Sequence, residues 1–338
     1  MEFRENFDAT VPFRQKYVDS LEELIQSRQR LLKEQRIEKS KDIFIRQDEY
    51  RESFKQMLGW PLCEQTKGDV CVSFEQKLSD EDGYSVYRMS FTILDGLTVT
   101  GLLFRQSGEG KKPMVIVQHG GSGTPEIMAG AYGDTYNYNE ITTRVLAQGV
   151  HVFSPQLLLW KDEYGVPYDR VRTDARLKRV GSSITAVEVY AIRCILDYFE
   201  KQTFVSSFGM IGVSYGGFYT LYTSAIDTRI KSAICNVFFN TRDKHDWSDW
   251  TWRDSAFIFD DAQVACLVYP RKLRIQVAKN DELFDYREGE KSFEIVKALC
   301  KTVGDVWVDF NVFEGVHEFC KDDAPIKALV EELKNNND

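Results

Sequence analysis

The 338-residue sequence lacks the features that mark membrane, secreted and nucleic-acid-binding proteins. It has no run of about 18 apolar residues, so we expect no membrane-spanning helix. The first six residues are acidic and polar, where a signal peptide would be basic and then apolar. A formal net charge of -9 leaves no basic excess to neutralise phosphates. We therefore predict a cytoplasmic protein with neither a nucleic-acid nor a membrane partner.

Cysteine is too scattered to form a recognisable site. None of the seven cysteines belongs to a Cys-x-x-Cys pair, which gives no support to zinc fingers or thioredoxin chemistry. Several lie in apolar runs, which indicates buried thiols. We expect neither a metal nor a cofactor. The cysteines are Cys63, Cys71, Cys194, Cys235, Cys266, Cys300 and Cys320.

The first 60 residues are rich in Glu, Lys, Arg, Gln and Leu and contain no catalytic motif. Apolar residues at helical spacing predict a helix over 20–39, with Ser20 as its cap and Glu23 completing a capping box. A second helix is predicted over 47–58 and ends at Gly59. We expect this N-terminal helical arm, residues 1–60, to pack against a catalytic domain at 61–338 or to dimerise.

From Tyr84 onward the sequence alternates between strand and helix patterns. Alternating segments on both sides of Asp95-Gly96 predict an antiparallel hairpin over 85–104. Later apolar runs predict strands at 114–117, 150–153, 208–213, 233–237, 273–277 and 306–312. Helices are predicted at 184–200, 217–225, 288–299 and 324–334. The order predicts an α/β fold, in which a mostly parallel, doubly wound sheet follows an antiparallel N-terminal hairpin.

The pentapeptide Gly212-Val213-Ser214-Tyr215-Gly216 has the pattern of a nucleophile elbow. An apolar strand precedes it and a helix follows it, and the flanking glycines allow the two backbones to approach closely. We therefore predict that Ser214 is a nucleophile. Acyl transfer also needs N–H donors for the developing oxyanion. The predicted donors are Tyr215 and either Gly120 or Gly121, in the loop after the strand at 114–117.

Only four histidines can act as the general base. His119 belongs to the glycine-rich oxyanion loop, where we expect it to brace the backbone, and His151 lies inside a predicted strand. His245 precedes the expected position of the acid. His317 follows the last strand, as the chain order Ser, acid, His requires. We predict that His317 is the base.

The acid is expected directly after the strand at 273–277. Asp281 is the first carboxylate beyond this strand, and it would hold the imidazole tautomer and stabilise the imidazolium. Asp285 is the alternative, whereas Glu282 is expected to face outward.

These motifs resemble those of the acetyl-xylan-esterase-like and dienelactone-hydrolase-like branch of the α/β-hydrolases. The resemblance runs from about Tyr50 to Lys334 and implies the α/β-hydrolase fold and a serine esterase. Dienelactone hydrolases use a cysteine nucleophile, so Ser214 favours the serine esterases. The matching segments are 57–61, 119–121, 212–217, 270–273 leading into Asp281, and 315–319.

Three insertions, at 124–139, 156–181 and 238–254, are predicted to cover the site as lids. Their aromatic residues suit a sugar or an aryl acid, or else pack within the lid. The candidate substrate-binding residues are Trp160, Trp247 and Trp250. Four arginines in the second insertion are expected to form a solvated charged face, and the alternative is that they meet an anionic substrate: Arg170, Arg172, Arg176 and Arg179.

Taken together, the motifs predict a cofactor-free carboxylic-ester hydrolase that works through an acyl-enzyme intermediate. Deacetylation of a small or oligomeric carbohydrate is the leading hypothesis, so the expected partner is a small-molecule or oligosaccharide ester. A peptidase of the prolyl-oligopeptidase type is the nearest alternative, although the chain has no repeats for a propeller. A non-catalytic ligand-binding protein on a hydrolase scaffold is a third reading.

Overall fold

The computed structural model describes residues 3–60, 70–301, 303–304 and 307–335. The strands in these ranges form one sheet in the order β1-β2-β3-β5-β4-β6-β7-β8-β9. Their bounds are β1 Cys71–Glu81, β2 Tyr84–Ile93, β3 Leu97–Gln106, β4 Lys112–Gln118, β5 His151–Pro155, β6 Val205–Val213, β7 Ile230–Asn236, β8 Lys272–Ala278 and β9 Val308–Phe313.

The first three strands and the β3–β5 pair are antiparallel, and all later pairs are parallel. The predicted hairpin is confirmed as β2 and β3, in which Ile93 pairs with Leu97 and Gly96 has a φ of 93°. β1 extends this hairpin and was not predicted. Almost all of its residues are exposed, so its sequence lacks the apolar alternation of a half-buried strand.

The predicted helices are confirmed, with ends within two residues everywhere except in α1. Shorter helices lie in the loops and insertions. The bounds are α1 Phe7–Lys39, α2 Gln47–Leu58, α3 Pro125–Met128, α4 Ile141–Leu146, α5 Arg170–Arg179, α6 Ile184–Glu200, α7 Tyr215–Ile226, α8 Asp261–Cys266, α9 Tyr286–Cys300 and α10 Ala324–Asn335. In these described ranges no helix combines the length and apolar character needed to cross a membrane.

The start of α1 corrects the predicted N-terminus. The helix begins at Phe7, and the side chain of Asn6 caps it by accepting the N–H of Asp8 at 3.0 Å. Ser20 lies inside the helix and donates its hydroxyl to the carbonyl of Tyr17 at 3.0 Å. Serine can bond back to the preceding turn in this way, so a Ser-x-x-Glu pattern also fits a helix interior.

Two apolar layers enclose the sheet. One layer holds residues of α2, α6, α7, α8 and α9, and the other holds residues of α4 and α10. Phe54 and Leu58 of α2 are fully buried in the first layer, so this part of the N-terminal arm belongs to the main core. The α/β prediction of a doubly wound sheet with an antiparallel start is therefore confirmed. The parallel strands direct their carboxyl ends to one edge, where the candidate site lies.

Most of the described cysteines are buried, as the apolar runs predicted. Cys71 on the edge strand β1 is exposed, and Cys63 lies outside the described residues. The buried thiols are Cys194, Cys235, Cys266, Cys300 and Cys320.

Candidate active site

Ser214 occupies the sharp turn between β6 and α7. Its φ of 58° and ψ of -122° are strained for a residue with a side chain. Its N–H donates to the carbonyl of Asn236 at 2.9 Å, which ties the turn to the end of β7. At Gly212, an added Cβ would lie 2.0 Å from the carbonyl oxygen of Gly216. The close approach that the elbow motif requires is therefore present.

The glycine-rich loop after β4 lies directly against this elbow. A Cβ on Gly120 would be 3.1 Å from Cβ of Ser214, and one on Gly121 would be 3.3 Å from the ring of Tyr215. The N–H of Gly120 donates to the hydroxyl of Tyr138 at 3.0 Å. In the described part of the chain, no backbone acceptor pairs with the N–H of Gly121 or Tyr215. The two predicted alternatives thus differ: Gly120 is engaged, and Gly121 is available.

Asp281 and His317, which follow the carboxyl ends of β8 and β9, contact each other. The distance from Nδ1 of His317 to Oδ2 of Asp281 is 2.8 Å, and the Asp281 side chain is 1% exposed. Oδ1 of Asp281 accepts the N–H groups of Leu283 at 2.8 Å and Phe284 at 3.1 Å. A carboxylate held by three donors has a fixed orientation, and it fixes the imidazole in turn.

The alternative acids are placed elsewhere. Asp285 is exposed and caps α9 by accepting the N–H of Arg287 at 3.0 Å. Glu282 is exposed, as predicted from its position. Asp281 is therefore the acid of this segment that contacts His317.

A turn in the first insertion joins the glycine-rich loop to the loop that carries His317. Tyr138, which is buried, receives the N–H of Gly120 as described above. On one side of it, the side chain of Asn137 donates to the carbonyl of His317 at 3.1 Å. On the other side, the amide of Asn139 donates to the carbonyl of Phe319 at 2.7 Å. We call residues 137–139 the clasp. Sequence reasoning missed it, because its contacts with His317 and Phe319 join residues that are 180 positions apart.

The other histidines have structural contacts. His119 is fully buried: its Nδ1 lies 2.9 Å from the carbonyl of Gly120, and its Nε2 accepts the N–H of Leu157 at 3.0 Å. Burial lowers the pKa of His119 to about 4. His151 bonds to backbone groups inside the sheet, and burial lowers its pKa to about 4 as well. His245 packs among aromatic rings, with a pKa that burial and Arg242 lower to about 4.

The three candidate tryptophans have different environments. Trp247 is 38% exposed and stacks on Tyr215 with ring centroids 5.8 Å apart, so it forms an accessible wall beside the elbow. Trp250 is 3% exposed and packs beneath Tyr215 at 4.8 Å. Its buried ring offers no face to a ligand, which corrects its predicted role in substrate binding.

Trp160 borders a different space. Its indole N–H donates to the carbonyl of Val166 at 2.9 Å, and its ring packs on Tyr168. It lines an apolar cavity of about 490 Å³ between β3, α5 and α6. Among the described residues that line this cavity, neither Ser214 nor His317 is present. The role of Trp160 in substrate binding therefore stays a prediction.

Arg170 packs against the ring of Tyr215 with its side chain only 11% exposed, which corrects its predicted place on a solvated face. Its guanidinium contacts Asp249 and Glu188, at 2.7 and 2.9 Å. Burial alone would lower the pKa of Arg170, but the charges of Glu188 and Asp249 hold it well above its usual value. The hydroxyl of Tyr215 lies 3.1 Å from Asp249, so this ion-pair network also fixes the residue directly after Ser214.

Solved structures share this architecture. A protein assigned as an acetyl xylan esterase from Bacteroides fragilis is 15% identical, with a TM-score of 0.65 over 79% of this chain and 74% of that one. A glucuronoyl esterase from Solibacter usitatus is 14% identical, with a TM-score of 0.63 over 86% and 91%. A cold-adapted esterase from an Arctic intertidal metagenomic library is 18% identical, with a TM-score of 0.52 over 77% and 97%.

No protein-family model matches the sequence, and no curated protein matches it either. Likeness at these identities establishes the fold, since one fold hosts many activities. The chain therefore has the α/β-hydrolase fold, as the motifs predicted.

Proposed function

We propose that this protein is a serine hydrolase that cleaves carboxylic esters through an acyl-enzyme. Its main support is the buried carboxylate of Asp281, 2.8 Å from Nδ1 of His317. The clasp joins the loop of this pair to Gly120, which lies against Ser214. The positive φ of Ser214 is a second, independent support, since strained backbone concentrates at functional sites.

The proposed mechanism follows from the hydrogen bonds. Nδ1–H of His317 donates to Asp281, which leaves Nε2 as the proton acceptor. Oγ of Ser214 attacks the ester carbonyl carbon while its proton passes to Nε2. The carbonyl oxygen becomes negative and accepts the N–H groups of Gly121 and Tyr215. When the C–O bond to the leaving group breaks, the alcohol takes the proton from Nε2.

The second half of the cycle releases the acid. A water molecule loses a proton to Nε2 of His317 and attacks the acyl carbon. The tetrahedral intermediate collapses, the bond to Oγ breaks, and Ser214 recovers its proton as the carboxylic acid leaves. Every proton is returned, so the cycle needs no cofactor.

For the substrate, we propose an ester of a carbohydrate. The exposed ring of Trp247, stacked on Tyr215, provides a flat apolar wall of the kind on which a sugar face can lie. The activities named for the structural relatives, acetyl xylan esterase and glucuronoyl esterase, support the same class.

A fluorophosphonate probe tests the nucleophile. We expect one adduct on Ser214 in the folded protein, its loss in Ser214→Ala, and retention in Ser73→Ala, a control on the exposed strand β1. Absence of labelling would refute the hydrolase proposal and favour a ligand-binding protein.

A release assay then tests the substrate class. We expect acetylated sugars and aryl esters to be cleaved faster than aminoacyl amides. Faster amide cleavage would favour a peptidase of the prolyl-oligopeptidase type.

A further inference from the structure

Helix α1 extends away from the catalytic domain. Of its 33 residues, Arg36 alone is buried, where it forms an ion pair with Asp260 and donates to the carbonyl of Ala256 at 3.2 Å. Lys33, one turn earlier, lies 3.8 Å from Asp243. The helix is therefore attached near its C-terminal end, and its N-terminal two thirds are exposed.

The exposed part of α1 has an apolar stripe with a period of seven. Val11, Val18 and Ile25 recur at this spacing, as do Tyr17, Leu24 and Leu31. Each of these side chains is at least 40% exposed, and Tyr17 is 72% exposed. A seven-residue apolar repeat is the pattern by which one helix packs along another in a left-handed pair. The stripe therefore indicates a helical partner.

Two charged residues, one within the apolar stripe and one beside it, indicate which helix is the partner. Arg28 lies in the stripe, and Glu22 borders it. Neither forms an ion pair within the described chain. They lie three residues on either side of Ile25. A two-fold axis through Ile25, with the helices antiparallel, places Glu22 of each copy opposite Arg28 of the other, whereas a parallel pair would bring the two Arg28 residues together.

A second arginine on the same face does not disturb this arrangement. Arg14 bonds to Thr10 one turn earlier, and its guanidinium lies 5.6 Å from the ring centre of Phe7. Its charge is thus directed toward the N-terminal end of α1, away from the Ile25 axis.

We propose that α1 is a dimerisation helix that pairs antiparallel with α1 of a second copy, about a two-fold axis near Ile25. Such an interface uses the same surface on both chains, so it closes at two copies. It removes the apolar stripe from water and provides Arg28 with a counter-charge, which a buried charge requires.

Light scattering coupled to size-exclusion chromatography tests the stoichiometry. We expect the full chain to have twice its monomer mass of 39.1 kDa at micromolar concentration. Ile25→Asp is expected to give a monomer, while Arg30→Asp, which introduces the same residue on the opposite, exposed face of α1, leaves the dimer intact. A monomeric wild type, or a dimeric Ile25→Asp, would overturn the proposal.

Charge reversal tests the pairing. Glu22→Arg and Arg28→Glu should each weaken dimerisation roughly tenfold or more, because each variant places like charges at two symmetric contacts. The double variant E22R/R28E, or an equimolar mixture of the two single variants, should restore it. If neither restores it, the antiparallel register is wrong. Far-UV circular dichroism checks that each variant is folded.

A spin label gives the orientation directly. The background carries Cys63→Ser, since Cys63 lies outside the described residues, and Cys71→Ser, which removes the exposed thiol of the described part. A label at Phe13→Cys should then lie about 36 Å from its copy along the helix axis, from twelve residues on each side of Ile25 at 1.5 Å each. Adjacent labels would show a parallel pair and refute the arrangement.

Discussion

Replacing Asp281 with Asn isolates the electrostatic role of this carboxylate. Oδ1 of Asp281 accepts the N–H groups of Leu283 and Phe284, and only an oxygen can take these bonds. The new amide NH2 must therefore face Nδ1 of His317. Since NH2 is a donor, Nδ1 has to accept, and the imidazole proton moves to Nε2, which then has no lone pair for the proton of Ser214.

The expected cost follows from this wrong tautomer. We expect kcat to fall about 10⁴-fold, equivalent to about 5.5 kcal/mol in activation free energy. The free energy of unfolding should change little, because both backbone contacts remain. Aryl acetate hydrolysis, corrected for the uncatalysed rate, measures kcat, and urea unfolding measures stability.

Asp285→Asn is the matched control. Asp285 is exposed and caps α9, and an Asn side chain can accept the same N–H. We expect kcat to be nearly unchanged in this variant. If Asp281→Asn keeps more than a tenth of the wild-type kcat, or if Asp285→Asn loses as much, the assignment of the acid is wrong.

Three further predictions concern the surroundings of the site. Tyr138→Phe removes the acceptor for the N–H of Gly120, and we expect kcat to fall about tenfold with KM unchanged. An equal loss of kcat in a clasp variant that leaves Tyr138 intact would contradict this role for the hydroxyl. Trp250→Ala should lower the free energy of unfolding by about 3 to 5 kcal/mol in urea titrations, because it opens a cavity in an aromatic cluster. Burial lowers the pKa of His119 to about 4, so between pH 6.5 and 4 the unfolded chain binds more protons than the folded one. The free energy of unfolding should therefore fall as pH decreases through this range, and His119 accounts for about 3 kcal/mol at most. If the stability of His119→Gln depends on pH in the same way as that of the wild type, His119 does not make this contribution.

The sequence predicts the fold well in segments where the apolar residues follow one clear spacing. α6 and the strand before Ser214 are recognisable because their apolar residues follow helical or fully buried strand patterns. β1 could not be found in this way, since an exposed edge strand has little apolar burial to impose a pattern. The start of α1 was misplaced because Ser20 and Glu23 imitate a cap inside a helix.

Candidate site residues are predictable where topology restricts them. Asp281 follows a buried strand and therefore lies at the edge where parallel strands end, next to His317. The topology does not restrict where aromatic residues of an insertion lie in this way. Sequence alone therefore cannot distinguish the exposed Trp247 from the buried Trp250. The burial of Arg170 was likewise hidden, because its partners Glu188 and Asp249 come from distant segments.

The clasp has a consequence for how this fold can diversify. Insertions in hydrolases are commonly the parts that are exchanged when a scaffold acquires a new substrate. Here the first insertion carries Asn137, Tyr138 and Asn139, which join the loops of Gly120 and His317. Changing it would also displace the loops that hold Gly120 and His317, to which we assign the proposed chemistry. New specificities are therefore easier to reach through 238–254, where the ring of Trp247 is exposed beside the elbow.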